Sequence, residues 1–210
     1  MFHKLIVFYR SGGFVELSTY ILARIKRLLY YRSETIFLFL EREKFESAGF
    51  EECELEFRVI DCVTQMNEID FPRLKLLPYN VWLEKGSYAI VGVHMGKCVS
   101  YTWTHFGSHR DVSLVQLRTD QCWTGPAFVD KRMRNRGINK CQKVFQIRSL
   151  PTHISWVLTS VNAKNSTSLQ ANVRLGFKQG LRCVRYSGFF SSKKVELHHL
   201  GGPNSLISLL

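Results

Sequence analysis

The 210-residue chain contains no run of about eighteen apolar residues, so no segment is expected to cross a bilayer as a helix. Proline is scarce, with five residues, and no low-complexity tract is present. With 45% hydrophobic and 13% aromatic residues, the chain has enough apolar surface to offset its ordering entropy, which excludes a disordered or fibrous protein. Six cysteines (Cys53, Cys62, Cys98, Cys122, Cys141 and Cys183) form no CxxC pair and no zinc-like spacing. Neither a metal site nor a disulfide framework is therefore expected, and the thiols read as small packed hydrophobes. The opening residues, Met1 to Arg10, lack the small-residue cleavage site of an export signal. The expectation is one cytoplasmic domain over residues 1–210.

Acidic residues are missing most conspicuously from one part of the chain. Between Asp130 and Lys194 there are fourteen Lys and Arg but one acid, Asp130, a net +13, so that the rest of the chain sums to −1 and the whole to +12. Scattered lysines of this kind serve equally well as a solvated face, or they meet an anionic partner. The tight cluster Lys131-Arg132-Met133-Arg134-Asn135-Arg136-Gly137 favours the partner. Its glycine implies a turn, where backbone amides as well as side chains reach phosphate oxygens.

Helical spacing of apolar residues over 14–31 predicts an amphipathic helix, packed on the body of the protein rather than lying on a membrane. Strands are predicted at 34–41, 55–60, 88–93, 99–106, 111–117 and 153–161, with an apolar run at 122–129 broken by Gly125-Pro126. Asp61 is expected to cap a short helix reaching toward Ile69, and 71–78 reads as a loop. His94 to Lys97 reads as a hairpin loop. Helices are predicted at 137–148 and 166–175, a last strand or hairpin at 181–190, and a loose tail at 198–210. The fold class is mixed α+β, with a βαβ-like unit in the basic third.

The stretch Ala127 to Asn139 carries the most chemistry. A strand runs into a basic glycine-containing turn that opens a helix, and unpaired amides at a helix N-terminus, aided by the dipole, suit a pyrophosphate. About twenty residues further on, a strand ending at Val161 is followed by Asn165 and Ser168, then a helix closed by Leu175-Gly176-Phe177. Arg134, Gly137 and the position of Asn139, followed by the N-x-x-S segment and L-G-F, resemble the GCN5-related N-acetyltransferase (GNAT) superfamily over residues 80–190. Gly96 to Trp103 resembles its G-x-x-V-x-Y-x-W hairpin. The extra 1–50 segment resembles the leader of bacterial members linked to surface-polysaccharide or N-acyl amino acid synthesis.

That resemblance implies a mostly antiparallel central sheet flanked by helices, with splayed fourth and fifth strands. It also implies transfer of an acyl group from acetyl-CoA, or another acyl-CoA, to a small amine-bearing acceptor, with no metal. The pyrophosphate would fall to Arg134, Asn135, Arg136, Gly137, Ile138, Asn139 and Lys140. The pantetheine arm would fall to Phe128 and Val129, with Asn165 and Ser168 ordering the site. Two positions depart from the pattern. Asn139 replaces a small residue of the turn, and Asn172 stands where many members have the tyrosine that protonates the leaving thiolate. Tyr186 is a substitute to weigh, though a buried structural role suits it better. For the general base, His105 ranks first, with Asp120 and His153 behind it. Cys141 reads as packing. An acyl carrier protein bearing a long chain is an alternative donor. A non-catalytic basic module for nucleic acid or another anion is the alternative of a different class, disfavoured because no base-stacking or helix-turn-helix pattern is present.

Overall fold

The computed structural model describes Ser18 and residues 31–45, 53–107, 115–188, 191–201 and 208–209. The strands are β1 (Tyr31–Glu41), β2 (Glu56–Ile60), β3 (Tyr88–His94), β4 (Lys97–His105), β5 (Val115–Gln116), β6 (Gln121–Val129), β7 (Trp156–Asn162), β8 (Lys178–Gly188), β9 (Ser191–His199) and β10 (Ser208–Leu209). The helices are α1 (Val63–Glu68), α2 (Tyr79–Glu84), α3 (Ile138–Arg148) and α4 (Ser166–Arg174). Eight strands form one sheet in the order β2-β3-β4-β6-β7-β1-β8-β9, and β5 pairs with β10 separately. Neighbours in the large sheet are antiparallel except β6 and β7, which are parallel. This is a mixed α+β architecture.

β1 lies between β7 and β8, inside the sheet. Its run Ile36-Phe37-Leu38-Phe39-Leu40 is buried at every position, as a strand covered on both faces requires. Alternation sorts it. Ile36, Leu38 and Leu40 pack with Val144 and Ile147 of α3, with Val157 and Val161 of β7 and with Phe177. Phe37 points the other way, to Trp123, Leu158 and Leu181, with its ring edge-on to Trp123 at 5.8 Å. A second core joins α1, α2 and the β3–β4 hairpin through Met66, Trp82, Val91 and Trp103.

Several expectations shift in detail. The strand expected to break at Gly125-Pro126 continues through both as β6, and the pairing register with β4 slips between Thr102 and Thr104. Proline has no N–H for the ladder, so the slip accommodates it. The β3–β4 loop contracts to a two-residue turn, Met95-Gly96, with both residues at positive φ. α1 is capped by Cys62 without a side-chain bond, one residue beyond the expected Asp61. The 71–78 loop contains a single 3-10 turn, Leu74–Leu76. The last hairpin is longer than expected: His198 and His199 pair with Arg182 and Leu181, and Ser208 and Leu209 pair with β5. The helix expected over 14–31 falls outside the described residues apart from Ser18 and Tyr31. Of the strand expected at 111–117, only Val115 and Gln116 are described as strand. No described helix is long and apolar enough to cross a membrane.

Candidate functional site

β6 and β7 stay paired only from Gln121 to Trp123 against Trp156 to Leu158, and then diverge. Side chains take over where the ladder stops. The Thr124 hydroxyl donates to the Leu158 carbonyl at 3.2 Å, and the Thr159 hydroxyl donates to the Thr124 carbonyl at 2.7 Å. Beyond these bonds the two strands leave a cleft of about 570 Å³. Gly125, Pro126 and Ala127 form one wall and Ser160 to Asn162 the other, and Trp82 and the Leu76–Pro78 segment also line it. The buried indole N–H of Trp82 has no hydrogen-bond partner among the described residues.

At the far end of β6 the chain turns through Lys131–Met133, where the Asp130 carboxylate accepts from the Arg132 amide at 2.8 Å. Asn135 and Gly137 both take left-handed backbone, at φ 64° and 71°. Gly137 then serves as the N-cap of α3, and the first amides to bond back to its carbonyl belong to Lys140 and Cys141. Among the described residues, the amides of Asn135 to Asn139 make no backbone hydrogen bond. A Cβ placed on Gly137 would meet nothing within 4 Å, so the concavity is open. Arg132, Arg134, Arg136 and Lys140 are exposed around it. The Arg134 guanidinium is anchored by a 3.2 Å bond to the Val129 carbonyl and lies 5.5 Å from the Phe128 ring.

The turn and the cleft together fit an anion with an extended arm. Of the residues singled out in the sequence, Asn139, Asn165 and Ser168 line the cleft, as does Asn172. Asn165 caps α4 by accepting from the Ser168 amide at 3.1 Å, and the Asn172 amide donates to the Ser168 carbonyl at 2.8 Å. Phe128 and Val129 are not lining residues; the β6 wall is formed by the preceding Gly125 to Ala127. His105 is fully buried beside Trp82 and Trp103. Its Nε2 lies 2.9 Å from the Gly125 carbonyl and its Nδ1 3.0 Å from the Ser87 hydroxyl, so both nitrogens are engaged. A carbonyl only accepts, which puts the ring proton of a neutral His105 on Nε2. Asp120 is paired with Arg118 at 3.0 Å on the surface. His153 borders a separate hollow with Arg118 and Leu117. The Tyr186 hydroxyl donates to Glu196 at 3.2 Å in the β8–β9 hairpin. None of these four side chains lines the cleft.

One residue in the cleft carried no signal in the sequence. Lys143, on α3, is 6% exposed, and its Nζ donates to the Thr124 hydroxyl at 2.8 Å. It follows Asn139 by one helical turn, so both project to the same side. The neighbouring positions Gln142 and Gln146 are also buried, bonded to the Ile90 and Trp103 carbonyls at 2.8 and 2.9 Å. A helix face this polar reads as solvated from sequence alone. Burial pushes the Lys143 ammonium down from 10.5 to about 8, opposed by the adjacent Cys122 thiol, itself pushed up to about 12 by burial. Cys141, at the N-terminal end of the same helix, is not activated by the dipole. Burial and the adjacent Cys53 push its thiol up to about 11.

The depressed lysine value has a direct consequence for stability. Between about 8 and 10.5 the unfolded chain holds a proton at Lys143 that the folded chain does not, so stability rises with pH through that window. The expected slope from this group is at most about 1.4 kcal/mol per pH unit. Urea denaturation of the wild type and Lys143→Met across the window measures it, and an equal slope in both proteins contradicts the burial of a charge.

No family model and no curated protein matches the chain. Solved structures do. A tandem GNAT protein from the clavulanic acid biosynthesis pathway aligns with TM-score 0.55 at 12% identity, over 89% of this chain and 59% of that one. A functionally unknown conserved protein from Staphylococcus epidermidis aligns with TM-score 0.53 at 10% identity, over 80% and 65%. An acetyltransferase of the GNAT family from Colwellia psychrerythraea aligns with TM-score 0.50 at 14% identity, over 80% and 60%. The chain thus spans about three fifths of the length of these structures. With the parallel strand pair β6–β7 opening into a cleft and a glycine turn leading into the following helix, the chain has the fold of the GCN5-related N-acetyltransferase superfamily.

Proposed function

We propose that this chain is an N-acyltransferase that moves an acetyl or other acyl group from acyl-coenzyme A to a primary amine by direct attack on the thioester. The observation that carries the reading is the joining of an open, basic, amide-lined turn to a cleft between diverging strands. Amides at the start of a helix, with arginines around them, bind a diphosphate by charge-assisted hydrogen bonds. The β6 wall beyond Thr124 keeps β4 but has lost β7 as a strand partner, so that apart from the Gly125 carbonyl, held by His105, its cleft-facing backbone groups can meet an extended amide-bearing arm. Thus Asn135 to Lys140 hold the diphosphate, Gly125 to Ala127 the pantetheine, and Asn165 and Ser168 the opposite wall. The amine enters beside Trp82 and Leu76–Pro78, which leaves the choice of acceptor to this side of the cleft. The basic third of the chain supplies the counter-charge.

Calorimetric titration with acetyl-coenzyme A tests this. Binding is expected with Kd on the order of micromolar. The double variant Arg134→Ala/Arg136→Ala is expected to weaken it about 10- to 100-fold, since hydrogen bonds to charged groups are worth about 1.5–3 kcal/mol. Unchanged affinity in that variant overturns the cradle assignment. Binding of nucleic acid with a steep salt slope and no competition from coenzyme A would instead favour a non-catalytic basic module. Release of the coenzyme A thiol across a panel of primary amines then identifies the acceptor class.

A further inference from the structure

Resting on that reading, we propose that Lys143 is the proton donor to the departing thioester sulfur, its Nζ holding the proton that the sulfur takes up. Three observations converge on Nζ. It is buried at the floor of the cleft, and the Thr124 hydroxyl takes only one of its three N–H donors. Among the described residues no carboxylate pairs with it. Its close neighbours among the described residues include the Phe177 ring, 5.8 Å away, and the Cys122 thiol, which burial keeps neutral. An uncompensated buried cation is costly, and a site retains one where an anion arises opposite it.

Length places that anion. From Val129, at the diphosphate turn, back to Thr124 is five strand residues, about 16 Å. The pantetheine arm has roughly thirteen bonds in line between diphosphate and sulfur, also about 16 Å when extended. With the diphosphate at the turn, the sulfur comes level with Thr124 and the Lys143 Nζ that bonds it. Asn172 and Tyr186 do not compete. The Asn172 amide is committed to the Ser168 carbonyl and is no acid, and the Tyr186 hydroxyl is bonded to Glu196 outside the cleft.

The step balances. As the amine nitrogen bonds to the acyl carbon, the C–S bond breaks and its electron pair stays on sulfur. A proton passes from Nζ to sulfur, leaving Lys143 neutral. The amine's surplus proton goes to water, and Lys143 regains one from water. The net products are an amide and the free thiol, the proton that the amine loses to water being matched by the one Lys143 regains. A lysine held near 8 is matched to a thiol of ordinary value about 8.5, so the transfer is close to level, which a lysine at 10.5 would not allow.

The test uses coenzyme A itself as the probe, with wild type, Lys143→Met and Lys143→Arg. Calorimetry gives affinity, and the ultraviolet absorbance of the bound thiolate is followed against pH. In the wild type the bound thiol is expected to ionise at least about one pH unit below the free thiol, because a cation faces it. Lys143→Met removes that shift with affinity held within about threefold. Lys143→Arg retains the shift, since a guanidinium is always charged, yet turns over acetyl-coenzyme A about 100-fold or more slowly, because it does not release a proton at working pH. Equal thiol ionisation in wild type and Lys143→Met overturns the proposal, as does full turnover by Lys143→Arg. Loss of affinity in Lys143→Met also overturns it, making the residue a binding group. Failure of the wild type to bind coenzyme A at all overturns the acyltransferase reading instead. Removing a buried cation does not endanger folding, so the methionine variant remains informative.

Discussion

Gly137→Val is expected to raise the Kd for acetyl-coenzyme A by about 100-fold or more while the protein stays folded. Gly137 sits at φ 71°, where a β-branched residue is strongly disfavoured, and a left-handed L-residue costs roughly 1–2 kcal/mol at the least. The added side chain itself meets open space, so no steric clash forces unfolding. The chain relieves the strain by rotating the turn, which re-aims the amides of Gly137 and Ile138. Losing two hydrogen bonds to a charged phosphate, each worth about 1.5–3 kcal/mol, gives the stated factor. Calorimetry on a variant whose thermal melt shows a single transition measures it. Gly137→Asn is the matched control, because asparagine tolerates left-handed backbone, and it should retain most of the affinity. Affinity within about twofold of wild type in the valine variant would mean that the turn does not hold the nucleotide.

Leu38→Ala is expected to lower the free energy of unfolding by about 2–5 kcal/mol, as other large-to-small changes at fully buried sites do. Leu38 is 0% exposed and belongs to the strand that joins β7 to β8. Without β1 the sheet would be split between the strand that forms one wall of the cleft and the terminal hairpin, each half with an open edge. The contrast is Val195→Ala on the outermost strand β9, where the side chain is 53% exposed and the change should stay within about 0.5 kcal/mol. Denaturant titration of both variants distinguishes a central strand from a peripheral one. Equal, small effects would place β1 at the margin of the fold.

Much of the fold was readable from short-range pattern. The alternation at 88–93 and 99–106, the apolar runs of β1 and β7, and the spacing of α3 and α4 all mark elements found near their expected bounds. The turn at Gly137 was legible because only a residue free of Cβ is at ease in left-handed backbone leading into a helix. Gly125-Pro126 does not end the strand over 122–129: it prevents regular ladder bonds, and a register slip absorbs it. Residue type alone points to His105 and Asp120 as bases. The structure encloses His105 between two tryptophans and pairs Asp120 with Arg118.

By itself, then, the sequence determined the kinds of element, the basic turn and the concentration of charge after Asp130, because these depend on neighbours three or four residues away. The tertiary structure decided that β1 enters the interior of the sheet, that β6 and β7 part after three paired residues, and that Lys143 is left without a counter-ion among the described residues inside the resulting cleft. Each of those turns on groups far apart in the chain, such as Thr124 with Leu158 and Lys143 with Thr124. Desolvation is a property of what surrounds a side chain, and no local pattern records it.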